Sequence, residues 1–422
     1  LPNRSLLLDR LAHALARAQR NGAPVTVLFL DLDRFKTVND SLGHTAGDRL
    51  LAAVGRRLAD SVRPSDTVAR LGGDEFAVLL EDTPTGAALD VARRLEEALE
   101  SPFSIDGHQV FARASIGVAT GEGGKQTADE LLRNADLAMY MAKGRETTRH
   151  ASFEPGMHTA VLERLEMEAD LRRALQAGEF FLHYQPVVRL ADASVVGMEA
   201  LIRWKRGGDV VSPAVFIPVA EETGLIVAIG QWVVSEACRQ AAAWQREHAL
   251  QPPLRLSVNL SARQLQDPGL VPDVEQVLNA CGLDPNCLVI EITESLLMSD
   301  PDVAVQRLRH LKDLGVRLAI DDFGTGYSSL SYLRRFPVDV LKIDRSFVAA
   351  LGAGPEDAAL AHAIVKLGHT LKLNIVAEGI ETPEQLSELR SLGCEYGQGY
   401  LFAAPLGVDA VAALLADRRT MR

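Results

Sequence analysis

Apolar residues at helical spacing open the chain. Leucines recur through residues 5–20 with arginines between them, which predicts an amphipathic helix. VTVLFLDLDRF (25–35) is a continuous apolar run ending in acids, the pattern of a buried strand. Helices are predicted from about Gly47 to Ser61, near 85–100 and near 127–143. VARLGGDEFAVLLE (68–81) reads as two strands joined by a Gly-Gly turn, and a second strand pair is expected near 103–119. This βαββαβ order predicts a compact α+β domain over residues 1–150. The segment from Thr147 to about Pro155 reads as irregular, and a connector is placed at 151–165. It leads into the charged helix LERLEMEADLRRAL, where Leu162, Leu165, Leu171 and Leu175 share a face. That face fits a dimer stalk and fits packing on the following domain equally well.

From 162 to 422 the rhythm changes. Eight short β-rich runs alternate with helical stretches: FFLHYQPVV, VVGMEALIRW, LRLSVNLS, LVIEITES, RLAIDDF, VDVLKID, LNIVAEGI and YGQGYLF. Alternation of this kind over about 250 residues predicts an α/β fold, a (β/α)8 TIM-type barrel.

Composition narrows the function. The 422 residues carry a net charge of -12, which argues against a nucleic-acid polymer as partner, because backbone phosphates demand a basic face. A small anionic nucleotide stays compatible if metal ions stand between it and the carboxylates. The four cysteines (Cys238, Cys281, Cys287, Cys394) show no ligand-like pairing and read as reduced thiols. No apolar run approaches the ~20 residues that span a bilayer. The opening LPNRSLLLDRL lacks the core of a signal peptide. It reads as cut from a longer chain, with an upstream sensor or anchor expected outside it. The expected location is the cytoplasm, or the cytoplasmic face of a membrane.

In the second half, polar residues end the apolar runs. Glu199 follows VVGM, Asn259 follows LSV, Glu291 follows LVI, Asp321 and Asp322 follow RLAI, Lys342 follows DVL and Glu378 follows NIVA. Each is expected at the carboxyl end of a barrel strand, where barrel enzymes place their chemistry. One such acid is ordinarily a helix cap; a full ring of them is not. Converging carboxylates repel, and hard divalent cations such as Mg2+ or Mn2+ resolve the conflict. Glu199, Asn259, Glu291 and Asp321 suit one metal, and Asp321, Asp322 and Glu378 a second. Two metals roughly 3.5–4 Å apart activate water for in-line attack on phosphorus. Lys342 is placed to position that water or offset phosphate charge, and Arg203 to clamp a phosphate oxygen.

MEALIRW, SVNLS, EITES, DDFGTGYSSL, LKIDRSFV, AEGIE and GQGYLF together resemble the EAL phosphodiesterase domain, from about 162 to 416. The resemblance implies cleavage of cyclic di-GMP to linear pGpG. It implies metal binding by Glu199, Asn259, Glu291, Asp321, Asp322 and Glu378, and water activation by Lys342 with help from Glu378. Glu294 and the loop 321–330, with Gly324 and Gly326, match a gating pair. Gln185, Arg203, Glu381 and Gln398 match substrate contacts.

In the first half, Asp31 ends a strand and Asp74 sits on the hairpin turn. If those strands are neighbours, the carboxylates converge on a metal pair, with the Leu32 carbonyl completing a site. Gly72 and Gly73 leave room for a nucleotide. Lys36 and Lys143 suit triphosphate oxygens, and Asn39 and Asp48 suit a guanine edge. LDLDRFKTVNDSLGHTAGD followed by RLGGDEF resembles the GGDEF diguanylate cyclase domain, a nucleotidyl-cyclase-like palm fold, over about 1–150. The resemblance implies condensation of two GTP in a homodimer, with Glu75 as the second signature acid near the reacting hydroxyl. RPSD (63–66) matches an inhibitory product site, with Arg63 and Asp66 binding guanine and Arg94 as its secondary arginine. One departure is Thr147, where the family carries an arginine; Arg145 and Arg149 are the candidate substitutes. Arg34 is more polar than the family position beside Phe35.

The whole is expected to be bifunctional in cyclic di-GMP turnover. One alternative is a phosphodiesterase whose front domain binds GTP only to regulate it. Another is a non-catalytic cyclic di-GMP receptor.

Overall fold

The computed structural model describes residues 1–33, 35–143, 148–248, 250–294, 296, 301–324, 335–351 and 355–417. Arg34, Arg145, Thr147 and residues 325–330 of the expected gating loop, Gly326 among them, lie outside them. The chain divides into two compact units, Leu1–Glu166 and Met167–Arg422.

The first unit is built on one sheet of order β2-β3-β1-β6-β7. Its strands are β1 (Val25–Leu32), β2 (Thr67–Gly72), β3 (Glu75–Glu81), β6 (Ala114–Gly121) and β7 (His150–Ser152). Strand β1 is central, which explains its unbroken apolar run. Leu28, Leu30 and Leu32 enter one core with Phe76, Val78 and Leu80. Val25, Val27 and Phe29 enter a second core on the other face with Ala77, Leu79 and Ala119. A period of two thus feeds two cores from one strand. Helices cover the sheet: Arg4–Asn21, Phe35–Leu42, His44–Asp60, Thr85–Glu100 and Ala128–Ala142.

Two details differ from expectation. The strand pair near 103–119 resolves into a short separate hairpin, β4 (Phe103–Ile105) and β5 (His108–Val110), followed by the long β6. Asp106 and Gly107 form its turn at φ 52° and 83°, the Asp-Gly signal of a two-residue hairpin. The segment read as irregular supplies β7, which pairs parallel with β6. Three residues are too few to show a period, so sequence pattern carried no sign of it.

Gly117 sets how closely the helix Ala128–Ala142 approaches β6. A Cβ there would lie 1.9 Å from the Ala135 carbonyl oxygen and 2.1 Å from the Met139 nitrogen. Backbone cannot yield as a flexible side chain does. Gly117→Ala is therefore expected to destabilise the front unit by about 1–3 kcal/mol, read as a lower Tm of that transition.

The second unit is a closed barrel of eight strands in the order β8-β9-β11-β12-β13-β14-β15-β16, with β16 pairing back to β8. These are β8 (Phe180–Arg189), β9 (Val195–Arg206), β11 (Arg255–Asn259), β12 (Leu288–Thr293), β13 (Arg317–Phe323), β14 (Val340–Ile343), β15 (Asn374–Ala377) and β16 (Tyr396–Gly397); β10 (Asp209–Val211) folds back on β9. Strand β8 runs antiparallel to both neighbours, so the first connection is a hairpin and not a helix. Its turn is tied by Asp192, whose carboxylate accepts from the Ser194 N–H at 3.0 Å.

Inward positions follow from the period of two. Val289, Ala319, Val340 and Val376 form one apolar layer inside the barrel. The next inward residue, two positions on, is Glu291, Asp321, Lys342 or, just past the end of β15, Glu378. A packed apolar floor thus lies under a charged layer. Outside, the helix Met157–Ala177 places Leu171 and Leu175 in the barrel cluster, while Leu162 and Leu165 are exposed.

Candidate active sites

The barrel mouth gathers the predicted acids. Register puts Gln185 opposite Glu199, and Asn259 opposite Glu291. Asp321 and Asp322 are adjacent in sequence and should face opposite ways. The pairing of β13 with β14 shifts between Ile320 and Phe323, and Asp322 takes φ 52°. This bulge turns both carboxylates to the mouth. Oxygens of Asp321, Asp322 and Glu378 lie within 4.8 Å of one another.

Lys342 stands among these acids and is 2% exposed. Its Nζ lies 2.7 Å from Glu291, 2.5 Å from Glu378, 3.3 Å from Asp321 and 3.6 Å from Glu199. The Glu199 carboxylate also accepts from Asn259 Nδ2 at 2.9 Å and Gln398 Nε2 at 2.6 Å. Gln398 Nε2 reaches Glu378 at 3.3 Å as well.

The protonation pattern follows from this crowding. Burial pushes the Glu291 carboxyl well above the usual range, against the pull of Lys342. Burial likewise lifts Glu378, to about 8, again opposed by Lys342. Glu199 goes the other way. Burial is its largest single influence and raises it, but Lys342, Gln398 and Asn259 together outweigh that and hold it low. Burial raises Asp322, and Asp321 and Asp344 add to it. Lys342 stays firmly cationic, because its four carboxylates outweigh its burial.

Five carboxyl groups thus face one ammonium. Gln398 Oε1 is buried with no hydrogen-bond partner among the described residues. Oxygen-rich, under-neutralised and partly unsatisfied, the site fits a hard divalent cation.

The other predicted residues are placed as follows. Glu294 accepts from the Gly324 N–H at 3.1 Å, which ties it to the start of the expected gating loop. Gln185 donates to the Ala403 carbonyl at 3.2 Å. Arg203 is half-buried, and its Nη1 donates to the Ile202 carbonyl at 2.8 Å. Glu381 is exposed, and its carboxylate makes no hydrogen bond or ion pair among the described residues. Asp344, which the strand-end reading did not single out, caps the helix Arg345–Ala349 through Ser346 and acts on Asp322. Its place two residues after Lys342 in LKID was the available signal.

In the front unit β1 and β3 are neighbours, so the condition set for the acid pair holds. Asp31 stands opposite Glu75, and the Leu32 N–H donates to the Asp74 carbonyl at 3.3 Å. Burial raises the Asp31 carboxyl, and Asp74 and Asp33 add to it against Lys143. Burial also raises Glu75, helped by Asp136, Asp31 and Asp74. Asp136, on the helix Ala128–Ala142, was not anticipated; burial and Asp31 raise it too. A Cβ at Gly72 or Gly73 would meet open space, so the turn is open to a ligand.

Lys143 Nζ pairs with Asp31 at 2.6 Å, inside the acid group. Arg149 bonds Asp33 at 2.8 Å, and Ser115 bonds the other oxygen of Asp33 at 2.9 Å. Arg149 is therefore committed within the protein. Lys36 is exposed. The Asn39 Oδ1 lies 2.0 Å from where a Gly47 Cβ would be, which puts this side chain against the helix that carries Asp48. In RPSD the Arg63 N–H donates to the Asp66 carboxylate at 2.9 Å, and Arg94 Nε donates to the Ser61 carbonyl at 2.9 Å. Arg94 thus lies beside the motif.

Along the chain, an acid-bearing sheet domain is followed by an acid-mouthed barrel. Comparison narrows this further. Residues 168–405 match the EAL domain family, and residues 1–149 match the family described as diguanylate cyclase, GGDEF domain. The chain belongs to the EAL domain family and carries a GGDEF domain ahead of the EAL domain.

The bifunctional diguanylate cyclase/cyclic di-GMP phosphodiesterase MucR of Pseudomonas aeruginosa is 46% identical over 418 residues, covering 99% of this chain and 61% of MucR. The cyclic di-GMP phosphodiesterase NbdA of the same organism is 40% identical, covering 98% of this chain and 53% of NbdA. The chain therefore spans between half and two thirds of these curated relatives. The solved PaMucR phosphodiesterase in complex with c-di-GMP matches with TM-score 0.56 and 45% identity, over 58% of this chain and 99% of that one. The FimX EAL domain from Pseudomonas aeruginosa bound to c-di-GMP matches with TM-score 0.53 and 31% identity, over 57% and 96%.

Proposed function

We propose that the chain turns over cyclic di-GMP with two opposed activities. The EAL module (162–422) hydrolyses it to pGpG, and the GGDEF module (1–150) makes it from two GTP. The observation that carries the first activity is the ring of Glu199, Glu291, Asp321, Asp322 and Glu378 around the buried Lys342. Among the relatives, MucR and NbdA carry this activity by name.

Two Mg2+ or Mn2+ ions in each site would supply charge neutralisation and an activated oxygen nucleophile. In the barrel, Glu199, Asn259, Glu291 and Asp321 would hold one, and Asp321, Asp322 and Glu378 the other. Lys342 orients the attacking oxygen, with help from Glu378. Arg203, Gln185, Glu381 and Gln398 bind the dinucleotide, and Glu294 braces the loop that begins at Gly324.

In the front module Asp31, Asp74 and the Leu32 carbonyl hold metal, and Glu75 works beside the reacting hydroxyl. Lys36 and Lys143 meet the triphosphate, Gly72 and Gly73 admit it, and Asn39 and Asp48 read guanine. Arg63, Asp66 and Arg94 hold inhibitory product. The active form is a homodimer, since each protomer presents one GTP site. GTP as substrate implies the cytoplasm, or the cytoplasmic face of a membrane. No helix among the described residues is long and apolar enough to cross a membrane.

The deciding experiment is nucleotide chromatography with GTP and cyclic di-GMP offered separately. Hydrolysis of the second to pGpG is expected in Mg2+ or Mn2+. If cyclic di-GMP binds but survives long incubation, the chain is a receptor. For the cyclase, cyclic di-GMP or pGpG should form from GTP and vanish in Asp74→Ala.

A second reading of the front module rests on one observation. Thr147 replaces the family arginine, and Arg149, a candidate substitute, is spent on Asp33. This favours a module that binds GTP and tunes the phosphodiesterase without condensing it. GTP binding without product, together with altered hydrolysis, would establish that reading.

A further inference from the structure

Arg70 holds the signature turn from outside the acid group. Its Nε and Nη2 both donate to the Gly73 carbonyl, at 3.0 and 2.7 Å. That carbonyl belongs to the peptide that enters Asp74. The peptide that leaves Asp74 is held from the opposite side, where its carbonyl accepts from the Leu32 N–H at 3.3 Å. Both peptides flanking Asp74 are therefore tied, one to Arg70 and one to the residue after Asp31.

The turn needs such a tie. Pairing of β2 with β3 shifts between Arg70 and Gly72, so the regular ladder breaks just before Asp74. Gly73 takes φ 49°, a conformation open to many alternatives in glycine. Arg70 is itself anchored, since its backbone N–H donates to the Pro2 carbonyl at 3.0 Å on the outer edge of β2. An anchored strand thus reaches forward through one planar, two-pronged donor to orient the acid-bearing turn.

We propose that Arg70 is a positioning residue for Asp74: by chelating the Gly73 carbonyl it sets the Asp74 carboxylate against Asp31 for metal binding. This role rests on the cyclase reading of the front module. Two other roles compete with it. Arg70 is exposed, so its guanidinium could instead touch substrate phosphates directly, or its hydrogen bonds could be surface contacts of no consequence.

The test uses the full chain in a Glu199→Ala background, so that product accumulates. Mn2+ binding to the front module is followed by electron paramagnetic resonance, with Asp74→Ala as the blank, beside steady-state kinetics with GTP. Arg70→Ala is expected to lower Mn2+ affinity and kcat by about 10–100-fold, as loss of a group that orients a metal ligand does, with KM for GTP unchanged. Arg70→Lys should lie between, because an ammonium cannot present two N–H groups in a plane to one carbonyl. Gly73→Ala disturbs the same peptide without touching the charge. If Arg70 acts through Gly73, the double variant should be no worse than the poorer single one.

A rise in KM with Mn2+ affinity intact would make Arg70 a phosphate contact and overturn the proposal. Kinetics and Mn2+ binding equal to the parent would overturn it too. If the parent itself neither binds Mn2+ in the front module nor forms cyclic di-GMP, the cyclase reading falls and takes this role with it. That outcome is distinct from an active parent indifferent to Arg70.

Discussion

Replacing Glu199 by alanine is expected to lower cyclic di-GMP hydrolysis by at least about 10²–10³-fold, with the fold retained. The carboxylate is 5% exposed and is held by Asn259 at 2.9 Å, Gln398 at 2.6 Å and Lys342 at 3.6 Å. Three fixed partners on a buried group define one orientation, which is what a metal ligand needs. The other influences on Glu199 hold it low despite burial, which keeps it ionised for a cation. Its loss leaves Lys342 still balanced by Glu291, Glu378 and Asp321, so no buried charge is stranded. Chromatography of the nucleotide products measures the first claim, and the barrel's melting transition measures the second. Glu199→Gln keeps the volume and removes the charge, which separates a ligand role from packing. Turnover at the parental rate in either variant would show that the metal ligands have been wrongly assigned.

Much of this was legible in the chain because strand period and strand end coincide. Inward positions alternate, so an apolar residue at 289, 319, 340 or 376 dictates that 291, 321, 342 or 378 faces the same lumen one layer higher. That inference needs no tertiary knowledge. Asp322 is different. Simple alternation sends it outward, and only the bulge after Ile320 returns it to the mouth. Bulges depend on pairing between strands, which a single sequence does not display. The antiparallel β8 escaped for a similar reason: its connection to β9 is short, but direction is a property of the closed sheet. In the front unit the Gly-Gly turn and its acids were visible. That Lys143 and Arg149 would be engaged with Asp31 and Asp33 was not, because these partners lie 112 and 116 residues apart. Distant pairing also hid Asp136, which reaches the acid group from a helix.

Removing Lys342 is expected to separate stability from catalysis in the barrel. Lys342→Met keeps the stem's bulk and deletes the ammonium that stands among five carboxyl groups. Hydrolysis should fall with it, since the group that orients the nucleophile is gone. The sharper consequence lies in the metal-free protein. Lys342 is the largest influence lowering Glu291 and Glu378, so its loss raises both carboxyls further. Glu378 already sits at about 8, against 4.5 for an ordinary glutamate. A carboxyl raised on folding supports the fold fully below its unfolded value, and that support drains away as pH climbs through the folded value. Chelator-treated Lys342→Met should therefore melt close to the parent near about pH 5 and fall progressively behind it toward about pH 9. At the alkaline end the deficit should reach about 3–5 kcal/mol, the usual cost of stranding buried charge. That corresponds to roughly 6–20 °C in the barrel transition. Mn2+ should recover much of the loss, because a bound cation replaces the missing charge and binds only the folded state. Thermal melts across this pH range, with and without Mn2+, read every part of the expectation. A deficit independent of pH and untouched by Mn2+ would mean that Lys342 supports packing rather than charge balance.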